Sequence, residues 1–312
     1  MDRICYFHAG CPDGFGAAWS VWRAWGADAR YVPRGHDGDP PRRAHVGGTV
    51  VFVDIAPDNE YLRQLADEAA HVLVLDHHWS ARERYEADPG VENLIADGGH
   101  RVVFDLGYSG AVLAWRHFHP DEPVPPLLAY VQDQDLWQWA LPRSEEVNAA
   151  IGSHEREFAV WDALAARSPD ELAREGEPIL RAQRIELVRA LTNAHPITVG
   201  DRRIEAVNAL QNRSHLGHEL AKRAAFGHPI GLVYRVTGRS VDASIYSIGD
   251  VDVSAIARRY GGGGHRNASG FSVSLRRWLD EFCWPSAVHS SGVNVRIASA
   301  WISLRISAAR TS

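Results

Sequence analysis

Three short apolar runs in this chain each stop on a carboxylate or an imidazole, and that recurrence limits the folds open to it. Ile4-Cys5-Tyr6-Phe7 runs into His8, Thr49-Val50-Val51-Phe52-Val53 into Asp54, and Val72-Leu73-Val74-Leu75 into Asp76-His77-His78. Continuous branched apolar runs of this length suit strands buried on both faces, as in a parallel sheet. In an open α/β sheet, ligands sit just beyond the carboxyl ends of the strands. An Asp and two His delivered there can ligate a metal, hold a phosphate, or do both. Each Asp taken singly can also cap a following helix, with the histidines ordinary loop residues. Capping does not explain the histidines.

The linking segments fit such a sheet. After His8, the stretch Ala9-Gly10-Cys11-Pro12-Asp13-Gly14 makes a tight turn, and a helix begins by Ala17-Ala18-Trp19. A helix is expected from about Asn59 to Ala70, and another within residues 105–118. A proline-rich break at 120–126 precedes Leu127 to Trp137, which carries Asp133 and Asp135. At helical spacing those two acids lie about 200° apart, so one can face a site at the strand ends and both cannot do so as direct ligands. Carboxylates and imidazoles converging there suit Mn²⁺ or Mg²⁺, with Mn²⁺ fitting the mixed donor set better than Zn²⁺.

Size and charge narrow the field further. A chain of 312 residues with 45% hydrophobic content can build two ordinary cores. It has no apolar run of membrane-spanning length, and its N-terminus lacks a signal-peptide pattern. Three cysteines give no disulfide framework, so a cytoplasmic location is expected. A net charge of −6 argues against coating long nucleic acid, though not against short substrates bound at a metal.

Residues 158–194 read as helical, with a long amphipathic stretch from Glu177 to Leu191. Strands are expected at 204–208, 230–234 and 241–247, with helices at 215–225 and 252–260. Four glycines, Gly261 to Gly264, then lead into His265-Arg266-Asn267. Consecutive glycines let backbone approach a ligand and expose N–H groups to an anion, and Arg266 adds charge for a phosphate. A plain hinge loop would leave His265-Arg266-Asn267 unexplained.

Taken in order, His8…Asp13-Gly14, Asp54, Asp76-His77-His78, Asp133 and Gly261-Gly262-Gly263-Gly264-His265-Arg266-Asn267-Ala268-Ser269-Gly270 resemble the motifs of the DHH phosphoesterases that carry a C-terminal DHHA1 domain, a group that includes oligoribonuclease-like and exopolyphosphatase-like members. The resemblance spans residue 4 to about residue 275. It implies a doubly wound, mainly parallel N-terminal domain over residues 1–150 and a helical connector over 151–195. A smaller α/β domain with a mixed sheet would follow over 196–283. It implies two divalent ions, Mn²⁺ or Mg²⁺, held by His8, Asp13, Asp54, His77 and Asp133, with Asp54 bridging. Asp76 and His78 would serve catalysis. His78, Gly262, Gly263, Gly264, His265 and Arg266 would bind substrate. Cys11 stands where many members carry a second acid, and it is either a soft ligand or a small residue in a tight turn. Tyr246 stands where relatives often carry an Arg.

The implied activity is hydrolysis of phosphodiester bonds in short oligonucleotides or nucleotide-like substrates by metal-activated water. The alternatives are a phosphomonoesterase or polyphosphate/pyrophosphate hydrolase, and a nucleotide-binding protein with weakened catalysis. The expected partner is the nucleic-acid or nucleotide substrate, with a homodimer allowed and no membrane. Residues 284–312, free of Asp, Glu and Lys, read as an appendage without an assigned role.

Overall fold

A computed structural model describes residues 2–35, 45–97 and 99–283, so the expectation for 284–312 lies outside the described residues. The first sheet has five parallel strands: β1 (Arg3–His8), β2 (Arg30–Arg34), β3 (Thr49–Val53), β4 (His71–Asp76) and β5 (Arg101–Phe104). Their spatial order is β2-β1-β3-β4-β5. The chain therefore reverses its winding direction between β1 and β3. At such a switch point the connections leave in opposite directions and open a crevice at the carboxyl ends of the strands.

The apolar runs are explained by burial on both faces. Cys5, Phe7, Val51, Val53 and Leu75 enter a core with α1 (Pro12–Trp25), while Ile4, Tyr6, Val50, Phe52, Val72 and Val74 enter another with α2 (Asn59–Glu68). Each such fully buried side chain contributes on the order of 1.5–3 kcal/mol. The short helices α3 (Trp79–Glu86) and α4 (Pro89–Asp97) follow β4. Helices α5 (Gly110–Phe118), α6 (Pro126–Asp135), α7 (Ser144–Ser153) and α8 (Phe158–Ala165) join the α1 side of the sheet.

Helix α9 (Pro169–Leu191) opens with a capping box, in which Ser168 and Glu171 satisfy each other's backbone N–H. Its Leu172 and Ala173 sit in the first core, whereas Leu187, Ala190 and Leu191 pack against the second sheet's cluster. One helix thus spans both units.

The second sheet comprises β6 (His195–Val199), β7 (Arg202–Asn208), β8 (Ile230–Thr237), β9 (Ser240–Ser247), β10 (Gly263–His265) and β11 (Ala268–Ser274). Its order is β10-β11-β9-β8-β7-β6, with β7 and β8 parallel and the other pairs antiparallel. Helix α10 (Arg213–Arg223) covers one face. The other is covered by α11 (Ser254–Arg258), α12 (Leu275–Trp278) and the π-helical turn that ends in Cys283. The expected α/β architecture, a parallel sheet followed by a second unit with a mixed sheet, is what the chain forms, the mixed sheet having six strands to the parallel sheet's five.

A candidate metal centre at the strand ends

His8 and Asp76 are the last residues of β1 and β4, and Asp54 follows β3 directly. None is a helix cap in the ordinary sense. Asp58, not Asp54, caps α2 by accepting from the Tyr61 N–H at 2.7 Å. Helix α1 starts earlier than its sequence suggests, because Cys11 Sγ accepts from Gly14 N–H and Pro12 pre-sets the first turn. That start places Asp13 in the first turn, where its two oxygens accept from Gly110 and Ala111 N–H at the opening of α5 (2.7 and 3.1 Å). Gly110 is required there, since a Cβ would lie 2.3 Å from Asp54 Cβ.

The convergence centres on one nitrogen. His77 Nε2 lies 3.0 Å from Asp54 Oδ1, 3.5 Å from Asp135 Oδ2 and 3.6 Å from Asp13 Oδ2. Asp13, Asp54 and His77 are each only 1% exposed. Asp54 also faces His8 Nδ1 at 3.4 Å through Oδ2, so its carboxylate serves two groups on opposite oxygens. Asp54 adopts φ 58°, a left-handed conformation that a non-glycine residue holds only under local strain, common at functional sites.

Charge explains what this arrangement lacks. Burial opposes a charge on His77, yet its hydrogen bond to Asp54 and the carboxylates of Asp135, Asp54 and Asp13 push its pKa up to about 10. Burial also opposes charge on Asp54, but His77 and His8 hold it well below the usual carboxylate range. Asp13 goes the other way: burial, then the charges of Asp54 and Asp135, raise it well above that range. Three carboxylates around one imidazole therefore need positive charge, and protons supply it only by neutralising part of the set. A divalent cation fits the same donors better. Three overlapping groups have ligand atoms within 4.8 Å of one another: Asp13, His77 and Asp135; His8, Asp54 and His78; and His77, His78 and His265.

Asp76 lies behind these groups and orients its neighbours. Its Oδ1 accepts from His78 Nδ1 at 2.6 Å and from the His77 N–H at 2.8 Å. A carboxylate on one ring nitrogen fixes the tautomer and leaves the other nitrogen for a ligand. His265 crosses from the second unit to stack on His78, with ring centroids 4.7 Å apart and planes 20° apart. Burial and the adjacent His78 and His77 charges hold His265 well below the usual imidazole range, so it is neutral.

Two sequence expectations need correction. Asp133 does not join the cluster. Its side chain is buried and accepts from Ala140 and Leu141 N–H at 2.9 and 3.3 Å, while Asp135, about 200° around α6, reaches His77. The rotation of α6, set by the packing of Leu127, Leu128 and Val131, turns Asp133 inward. The glycines also differ from expectation. Gly262 N–H donates to Ala257 O and Gly264 N–H to Ser80 Oγ, so these two N–H groups are committed within the protein. A Cβ at Gly262 would fall 2.0 Å from Gly270 O, and at Gly263 2.7 Å from Ser80 Oγ. The glycines serve close approach. Arg266 lines the cleft and donates to Asp250 O. Cys11 Sγ lies 3.3 Å from His8 Nδ1 and 3.5 Å from Asp54 Oδ2, inside the cluster's reach.

No protein-family model matches the chain. It is 27% identical over 295 residues to an uncharacterised protein of Acanthamoeba polyphaga mimivirus, covering 88% of this chain and 68% of that one. It is 24% identical over 237 residues to the oligoribonuclease NrnB of Bacillus subtilis, covering 70% of this chain and 56% of that protein, so this chain spans little more than half of NrnB's length. Among solved structures, the DHH domain of a member of a ribosomal-protein family superimposes with a TM-score of 0.52 at 15% identity, covering 89% of this chain and 84% of that one.

Proposed function

We propose that this chain, which has the fold of a DHH phosphoesterase, is a metal-dependent hydrolase that cleaves phosphodiester bonds in short oligonucleotides or nucleotide-like substrates. The observation that carries the reading is the convergence of three carboxylates on His77 Nε2 at the switch point of the parallel sheet. The similarity to an oligoribonuclease supports the substrate class.

In this reading His8, Asp13, Asp54, His77 and Asp135 would hold two divalent ions, with Asp54 offering one oxygen on the His8 side and the other on the His77 side. Mn²⁺ suits a carboxylate-rich set with imidazoles. When bound, such ions supply Lewis-acid polarisation of a phosphoryl oxygen and a lowered pKa for the attacking water. The remaining work falls to the protein's own groups. Asp76 locks His78 so that its free nitrogen meets the substrate's phosphate. Neutral His265 donates its ring N–H to that phosphate from the second unit, and the close seat of Gly264 on Ser80 fixes its position. Arg266 supplies a fixed positive charge at the cleft mouth.

A division into two units joined by a helical connector, its boundaries displaced from 150/151 and 195/196 because those points fall inside α7 and β6, the cytoplasmic location and a homodimer are further parts of this reading. The three free cysteines support the second, and light scattering on purified protein tests the third. No described helix is long and apolar enough to cross a membrane. The test of function is turnover: with Mn²⁺, purified protein releases mononucleotides from a dinucleotide, and chelation stops it. Release of phosphate from polyphosphate with no diester cleavage would replace this reading with a polyphosphate hydrolase.

A further inference from the structure

We infer that the cleft beside the cluster contains a nucleobase subsite whose stacking surface is Trp79 and Trp137. This rests on the phosphodiesterase reading above and adds the part of the substrate that a metal centre does not recognise.

A cavity of about 500 Å³ opens from Asp135 and His265. That volume lies within the range of small-molecule sites. Its two walls differ. Beside Asp135 the first unit contributes Trp79, Glu83, Leu106, Leu136 and Trp137, while beside His265 the second contributes Asp252, Arg266, Asn267 and Ala268. A nucleotide held by its phosphate at the cluster must lay its base along one of these walls, and only the first offers flat apolar surface.

Both indoles are tied to the cluster. Trp79 follows His78 directly at the start of α3, and Trp137 is two residues beyond Asp135. Trp137 and Trp139 have φ of 56° and 50°, left-handed conformations that bulky residues adopt only when their surroundings enforce them. Asp133 provides the enforcement. Its carbonyl accepts from Gln138 and Trp139 N–H (2.8 and 3.3 Å), and its carboxylate accepts from Ala140 and Leu141 N–H. Behind Trp137, the rings of Trp139, His215 and His218 each lie 5.1 Å away, centroid to centroid. The indole is braced from both units.

The opposite wall has part of its hydrogen-bonding capacity committed within the protein. Asp252 Oδ1 is taken by Ser254, Asn267 Nδ2 by Ser247 Oγ and Gly249 O, and Arg266 donates to Asp250 O. Recognition by stacking tolerates any base, since every base has a π-face. The subsite therefore takes a nucleobase of either class with little sequence preference.

Calorimetric binding of adenosine 5′-monophosphate and ribose 5-phosphate to the full chain with Mn²⁺ tests this without requiring turnover. The wild type should bind the nucleotide more tightly. Trp137→Ala should remove that preference, lowering nucleotide affinity by about 5- to 150-fold with ribose 5-phosphate unaffected, and Trp137→Phe should retain most of it. Equal affinity of the wild type for the two ligands would overturn the subsite, even if dinucleotides are cleaved. A preference lost in Trp137→Ala would uphold it even if the wild type cleaves no dinucleotide, in which case the phosphodiesterase reading alone falls. Trp137→Ala weakening both ligands equally would assign the indole to packing and also overturn the subsite.

Discussion

The carboxyl edge of the parallel sheet and the glycine hairpin of the mixed sheet face one cleft, yet they treat their polar groups in opposite ways. At the parallel edge, Asp13, Asp54, Asp76 and His77 are buried, and His77 Nδ1 and Asp76 Oδ2 have no hydrogen-bond partner among the described residues. At the hairpin, Gly262, Gly264, Arg266 and Asn267 are already bonded to their own surroundings. Buried charge is stable only when compensated, so buried carboxylates converging on one imidazole mark the half suited to a cation. The hairpin is the finished half, and it delivers one neutral imidazole to a fixed place.

The contrast breaks first at Asp54. Asp54→Asn keeps the side chain's size at the left-handed position but removes its charge. Turnover should fall by roughly a thousandfold, the several kcal/mol a metal centre contributes. Retained activity in a Mn²⁺ assay would show that the edge is structural. The next test lies within α6. Asp135→Asn should reduce kcat about a hundredfold with Tm unchanged, because its carboxylate is part-exposed and bonds no backbone among the described residues. Asp133→Asn should keep kcat within about tenfold and lower Tm by several degrees, since two buried charge-assisted bonds weaken. Calorimetric melts beside initial rates separate the two, and the reverse pattern would restore Asp133 to the site.

On the hairpin side, His265→Ala should lower kcat/KM about tenfold while leaving Mn²⁺ affinity intact; lost metal binding would instead make His265 a ligand. Cys11→Asp should hold or raise Mn²⁺ affinity, because a hard oxygen would replace a soft sulfur near His8 and Asp54. A sharp fall would mean that the thiol belongs to the site. The smallest effect is expected at the Arg258–Glu83 pair (2.7 Å), which joins the two units and is partly exposed. Arg258→Ala should change kcat/KM by less than about fivefold, as such pairs contribute about 1 kcal/mol or less.

The strands that carry the site were readable because burial on both faces writes an uninterrupted apolar run, and their last residues break it with charge. The outer strands were not. Arg30–Arg34 contains a proline tolerated only because β2 is an edge strand, and Arg101–Phe104 is too short to show a period. The capping alternative for Asp54 fell to Asp58, four residues on, which lay in plain view but competes only once α2's start is fixed. Helical spacing puts Asp133 and Asp135 on opposite sides of α6, and of the two it is Asp135 that faces His77. Spacing could not choose between them, because the rotation of α6 is set by distant packing partners. Nor does spacing reveal that Gly262 to Gly264 are small to admit Ser80 and β11, a contact between segments far apart in sequence.

The most direct test of the account is Mn²⁺ binding, followed by electron paramagnetic resonance titration of wild type, Asp135→Asn and Asp133→Asn at one pH. The arrangement around His77 predicts that Asp135→Asn loses at least one ion's affinity by tenfold or more, and that Asp133→Asn titrates like the wild type. Unchanged binding in Asp135→Asn, with loss in Asp133→Asn, would contradict it.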